Sequence, residues 1–242
     1  MALLRRPARP VSRTAALAAI ALAAGCGGAS DGPPPGETEA HDTAGAAPPA
    51  VPMGVTRVEV ETTKGELVIA VHPEWAPIGA GRFLELVRSG YYDDARFHRV
   101  VPDFIVQWGL AGDPALTAAW HERFIADDPV VATNTRGRIA FAFNDPGTRS
   151  TQVYINLVDN VRLDSTGFAP FGEVVEGMDV VDALYSGYGE TSGGGLRRGD
   201  QQRIVEEGNA YLDRAFPRLD RLLEARVVGA ADSGEDGGRG GG

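Results

Sequence analysis

One cysteine, Cys26, is all the thiol this 242-residue chain carries. A lone cysteine excludes an intramolecular disulfide, so the fold must stand on burial and hydrogen bonding. Basic residues are scarce too: 23 Lys and Arg against 33 Asp and Glu leave a formal charge of -10. That excess of acid argues against nucleic acid as a partner, because phosphate binding needs clustered Lys and Arg. His72, His98 and His121 show no HxH or HExxH spacing, and no Gly-rich loop ends in Lys-Ser/Thr. No metal site, cofactor or phosphate cradle is therefore expected. A Ser-His-Asp nucleophile is not legible either, since such triads are assembled in space. Long apolar runs are also missing: the longest, residues 14–24 (TAALAAIALAA), falls short of the ~20 residues of a bilayer span.

That short run reads instead as the core of an export signal over residues 1–25, behind Arg5, Arg6, Arg9 and Arg13. LAAGC, ending at Cys26, resembles a bacterial lipobox whose cysteine is lipidated, which implies a protein held at the cell envelope by its acyl chains. Secretion with Cys26 as a free thiol is the alternative. Residues 26–54, rich in Gly, Pro, Ala and Thr, have too few large apolar side chains to offset the entropy of folding and read as a disordered linker. Residues 229–242 read as a disordered acidic Gly-rich tail. Loss of residues 1–25 removes four arginines and no acid, taking the formal charge from -10 to about -14. What remains, residues 55–228, is the right size for one domain with one core, and the whole chain is 43% hydrophobic.

Within it, residues 56–60 and 66–71 flank Thr63-Lys64-Gly65 and read as a β-hairpin. Pro77 starts a helix with Phe83, Leu84, Leu86 and Val87 at helical spacing, stopped by Ser89-Gly90. Residues 110–129 read as irregular, with Trp120 and His121 on a surface loop. Strands are expected over 137–143, 152–156 and 168–175, a loop over 163–167, and a second helix over 178–184. Residues 209–223 show helical spacing interrupted by Pro217, an insertion before a last strand over 225–228. Many short strands with two framework helices predict a mainly β fold, an antiparallel barrel closed to remove its edges.

The most informative stretch is residues 95–109, ARFHRVVPDFIVQWG, two strand-like runs about a Pro-Asp turn. Strand period puts Phe97, Arg99 and Val101 on one face, and Ile105 and Gln107 on one face after the turn. A guanidinium and an amide can thus project among apolar groups; equally, Arg99 can be an edge arginine with its stem on apolar neighbours and Gln107 a solvated strand residue. His98 opposes Arg99 by parity and reads as structural. FHRVVPDFIVQWG resembles the signature of the cyclophilin family of peptidyl-prolyl cis-trans isomerases, and STQVY (150–154), FAPFG (168–172) and VVEGMDVVD (174–182) resemble its later segments in order.

The resemblance implies an eight-stranded barrel capped by two helices, and an enzyme that isomerises X-Pro bonds of exported proteins and assists their folding. It implies Arg99 as catalytic arginine, supported by Gln107. It implies a proline-binding wall of Phe104, Ile105, Tyr154, Leu163 and Phe168, with Gln152, Ala142 and Phe143 along the peptide. Five positions depart from the family pattern: Ile105 stands where methionine is common, Tyr154 where phenylalanine is usual, and Phe168 where many eukaryotic members have histidine. Trp108 replaces the first glycine of Gln-Gly-Gly-Asp, and Arg162 a tryptophan that serves cyclosporin binding. The partners expected are proline-bearing peptide segments, and the membrane through Cys26. A proline-peptide binding module with little turnover is the alternative function; retention of Arg99 and Gln107 favours the enzyme.

Overall fold

A computed structural model describes residues 54–192 and 201–230. The expected signal, Cys26, residues 26–53 of the linker and residues 231–242 of the tail lie outside the described residues.

Strands β1 (Thr56–Thr62) and β2 (Gly65–Val71) form the expected hairpin, and their alternation sends Val58, Val60, Leu67, Ile69 and Val71 into the core. Helix α1 (Pro77–Arg88) has proline in its first turn, where the missing N–H costs no hydrogen bond, and buries Phe83, Leu84, Leu86 and Val87. Its N-terminus lacks a local cap. Instead Asp128, 49 residues on from Gly79, accepts hydrogen bonds from the amides of Ile78 (3.1 Å) and Gly79 (2.7 Å).

Two short strands follow, β3 (Arg99–Val101) and β4 (Ile105–Trp108), joined by a turn that the Phe104 amide closes onto Val101 O at 3.1 Å. Pro102 presets its first corner, and Asp103 takes a left-handed φ of 58°. A seven-residue helix, α2 (Pro114–Trp120), occupies part of the stretch read as irregular, capped by Asp113, whose carboxylate accepts from the Ala115 amide. Trp120 is not on a bare loop: it meets Tyr91 edge-on and packs against the core, with Arg82 and Arg123 over its ring.

The remaining elements are β5 (Arg138–Phe141), β6 (Val153–Asn156), a 3-10 turn over Val161–Thr166 in place of the expected loop, β7 (Pro170–Glu176) and α3 (Met178–Asp182). Two short helices, α4 (Gln201–Glu207) and α5 (Asn209–Ala215), precede the last strand, β8 (Leu222–Ala230). They end before Pro217 and form a satellite core of Leu110, Ile204, Tyr211 and Leu212. The corner between them approaches α2 closely: Gly208, at φ 58°, would place a Cβ 2.2 Å from Gly112 O, so no larger residue fits.

The eight strands form one antiparallel sheet in the order β3-β4-β6-β5-β7-β2-β1-β8. The expected closed barrel is not what forms. The sheet is an open, strongly curled half-barrel whose edges stand 13 Å apart. Register shifts in the β1–β8, β2–β7 and β5–β7 ladders add to the curl, as bulges do. Closure fails because β3 is only three residues long and Pro102, lacking an N–H, cannot extend its ladder. The contacts that approach β8 come from the irregular chain before β3: Leu222 N bonds Ala95 O, Phe97 N bonds Asp220 O, and Arg96 bridges to Arg221.

One face of the curled sheet carries the main core, including Val106, Trp108, Ile139, Phe141, Val153 and Ile155. The other face, by the same alternation, carries Ile105, Gln107, Ala140 and Tyr154.

Candidate active site

Cross-strand register sets out a row of side chains on this second face. Arg99 lies opposite Gln107, Gln107 opposite Tyr154, and Tyr154 opposite Ala140. Arg99 Nη1 donates to Gln107 Oε1 at 3.0 Å, and Gln107 Nε2 donates to Gln152 Oε1 at 2.9 Å. Gln107 can therefore hold only one orientation, its oxygen toward the guanidinium and its NH2 toward Gln152. Both Arg99 and Gln107 are largely covered, at 14% side-chain and 4% residue exposure, so their polar contacts act in a medium less screening than water.

Beside this polar line lies an apolar cluster of Ile105, Ala140 and Tyr154, with Phe104, Ala142, Leu163 and Phe168 packed on it and half-exposed. Phe143 joins through its ring, 4.3 Å from that of Phe168, and Tyr154 meets Phe168 edge-on at 5.7 Å. The Phe104 ring faces both the Arg99 guanidinium at 5.4 Å and that of Arg162 at 4.8 Å. The arrangement offers a fixed cationic donor at one end of an aromatic and aliphatic wall.

A family model described as cyclophilin type peptidyl-prolyl cis-trans isomerase/CLD matches residues 57–206. Peptidyl-prolyl cis-trans isomerase B of Escherichia coli is 34% identical over 179 residues, covering 71% of this chain and 98% of the relative. Peptidyl-prolyl cis-trans isomerase cyp18 of Streptomyces antibioticus is 36% identical over 143 residues, covering 54% of this chain and 83% of that one.

The chain belongs to the cyclophilin-type peptidyl-prolyl cis-trans isomerase family. It is an isomerase of X-Pro bonds. A solved cyclophilin-type isomerase of Cryptosporidium parvum shares the fold, with a TM-score of 0.52 at 20% identity over 72% of this chain and 98% of that one.

In this cyclophilin the ten residues singled out from the sequence come together: Arg99, Gln107 and Gln152 in the hydrogen-bonded line, the other seven in or against the apolar cluster. One finer expectation needs correction. Phe97 does not share a face with Arg99; strand pairing begins only at Arg99, and Phe97 turns into the main core against Trp108 at 5.7 Å. Trp108, the departure from the family's Gln-Gly-Gly-Asp, lies on the core face by alternation, while Gln107 faces the other way. Gly109 after it is indispensable: at φ 116°, a Cβ there would meet Thr151 O at 2.3 Å.

Sequence reasoning missed the polar frame behind the wall. Asn134, fully buried, accepts from Tyr154 Oη at 2.8 Å and donates to Asp164 Oδ1 and Phe168 O, both at 2.8 Å. Burial, and then the nearby Asp164 carboxylate, push the Tyr154 phenol above its ordinary range, so it serves as a neutral donor. Arg149 lies over Phe143 at 3.9 Å, pairs with Asp127 and donates to Gly167 O at 2.5 Å. Only the buried status of these polar residues marks them, and burial is not written in a loop sequence.

Proposed function

We propose that Arg99 is the catalytic arginine of this isomerase, that Gln107 and Gln152 hold it and the substrate backbone, and that Phe104, Ile105, Tyr154, Leu163 and Phe168 grip the proline ring. Ala142 and Phe143 line the path of the peptide. The barrier to be lowered is amide resonance, about 18–20 kcal/mol for a peptide bond, and no nucleophile or metal is needed to lower it. As the bond twists, the lone pair localises on the prolyl nitrogen, and a guanidinium held beside it stabilises the twisted amide more than either planar isomer. The apolar wall fixes the ring while the chain on the other side of the bond rotates.

The observation that carries this reading is the 3.0 Å Arg99–Gln107 hydrogen bond at the edge of the aromatic cluster. A binding module would have no need of a cation held so firmly next to its proline seat. In a peptide isomerisation assay Arg99→Ala is expected to lower kcat/KM about 10²- to 10³-fold, the range for loss of one preorganised donor. Equal rates for wild type and variant would refute the assignment.

The compartment is part of the same proposal. Residues 1–25 act as an export signal, Cys26 as the lipidated residue, and residues 26–54 as a tether that holds the domain of residues 55–228 off the membrane, where it acts on exported chains. The last strand of the domain runs on through Ala230, two residues past the expected boundary, so the tail beyond it is residues 231–242. The four arginines before a short alanine-rich run and the LAAGC motif support this. No helix among the described residues is long and apolar enough to cross a membrane.

A further inference from the structure

The Arg99 side chain has a second anchor, outside the signature segments. Its Nη2 donates to Glu190 Oε1 at 2.5 Å, and the pair is mostly covered, with side-chain exposures of 14% and 31%. Glu190 lies 91 residues further along, in the stretch between α3 and α4. We propose that Glu190 is a positioning residue for catalysis: it holds the guanidinium of Arg99 in the plane that faces the substrate amide. This deepens the assignment of Arg99 made above and rests on it.

Arginine is a poor catalytic donor unless restrained, because its long side chain has many rotamers of similar energy. Gln107 alone restrains one nitrogen and leaves the fork free to swing about that contact. The Nε–H adds nothing, since it is buried with no hydrogen-bond partner among the described residues. Glu190 supplies the second point, on the other terminal nitrogen, and two points define the orientation of a planar group. A charge-assisted hydrogen bond of this length is among the stronger ones available to a side chain.

The carboxylate is itself registered to the strand that carries Arg99. Two residues beyond Glu190, Ser192 is buried and its Oγ donates to His98 O at 2.6 Å, the carbonyl immediately before Arg99. On the other side Tyr188 meets the rings of Tyr185 and Phe216 edge-on, at 5.1 and 5.2 Å. The segment is therefore stapled to the backbone at 98 and packed on the satellite helices, and Glu190 reaches Arg99 from a fixed base. Misplacement of a reacting group by as little as ~1 Å costs up to about 100-fold in rate, which makes such a staple worth having.

The test compares wild type, Glu190→Ala, Glu190→Gln, Ser192→Ala and Arg99→Ala, with peptide Kd and kcat measured separately by NMR exchange and folding checked by circular dichroism. Glu190→Ala is expected to lower kcat about tenfold with Kd within about twofold, the signature of an interaction that matters only in the transition state. Glu190→Gln, whose amide oxygen accepts the same bond, is expected within about threefold of wild type, and Ser192→Ala between the two. A kcat for Glu190→Ala within twofold of wild type overturns the proposal, as does a Glu190→Gln enzyme no faster than Glu190→Ala, or a weakened Kd at unchanged kcat. Should Glu190→Ala fail to fold, a Ser192→Ala kcat at the wild-type rate or a Glu190→Gln kcat lowered about tenfold overturns the proposal, while Glu190→Gln within about threefold and Ser192→Ala slower than it uphold it. If Arg99→Ala retains the full rate, it is the assignment of Arg99 that falls; if Arg99→Ala is impaired and Glu190→Ala is not, only the role of Glu190 falls.

Discussion

His98 stands next to Arg99 in the chain and faces the opposite environment, fully buried. Burial pulls its imidazole down from 6.5 to about 4, so the folded protein holds it neutral. The unfolded chain takes up a proton as the pH falls through about 6.5, whereas the folded chain resists until about 4, so this group's contribution is complete above pH 6.5 and is lost on acidification. Between pH 7 and 4.5 it removes roughly 2–3 kcal/mol of stability, at about 1.4 kcal/mol per pKa unit. Urea midpoints measured at those two pH values should converge for His98→Leu relative to wild type. An unchanged acid sensitivity in the variant would rule His98 out as the source. At this scale much of the site was legible, because Arg99, Phe104, Ile105 and Gln107 lie within nine residues of the segment that carries the family resemblance, and strand parity puts Ile105 and Gln107 on one face. Asn134, Arg149 and Glu190 were not, since each arrives from a separate loop as a single polar residue with no periodic company.

Helices α4 and α5 are too short to be stable alone, and what orders them is the apolar patch they share with Leu110. Leu212 is buried at its centre. Leu212→Ala is expected to cost about 2–4 kcal/mol, the transfer loss plus the unfilled cavity. Chemical denaturation would measure it, and a loss below ~1 kcal/mol would mean the satellite core collapses around the gap or contributes little to global stability. The hairpin of β1 and β2 and helix α1 were legible because each is long enough for its periodicity to show. Helix α2 was not legible from periodicity, for of its seven residues only Thr117 is buried, leaving no apolar stripe to read. Its Asp113-Pro114 start was the signal available. The open sheet was missed for another reason: strand number follows from local pattern, while closure depends on whether the two edge strands are long enough to meet.

For the molecule as a whole, the proposed anchor makes a separable prediction. The full chain, expressed with its own first 25 residues, should incorporate labelled fatty acid and sediment with membranes, and Cys26→Ser should abolish both. Label persisting in the variant would exclude Cys26 as the acceptor. The sheet order carries a further consequence, for timing. β1, the first strand, lies between β2 and β8, and β8 is the last strand, some 160 residues further along. Synthesis supplies the hairpin early, but the second neighbour of β1 emerges only when translation of the domain is nearly done. Pairings so distant are slow to form, because the loop entropy must be met before any contact compensates it. A nascent chain of this design cannot complete its sheet until β8 has been made, so half of the pairing of β1 waits while everything between is synthesised.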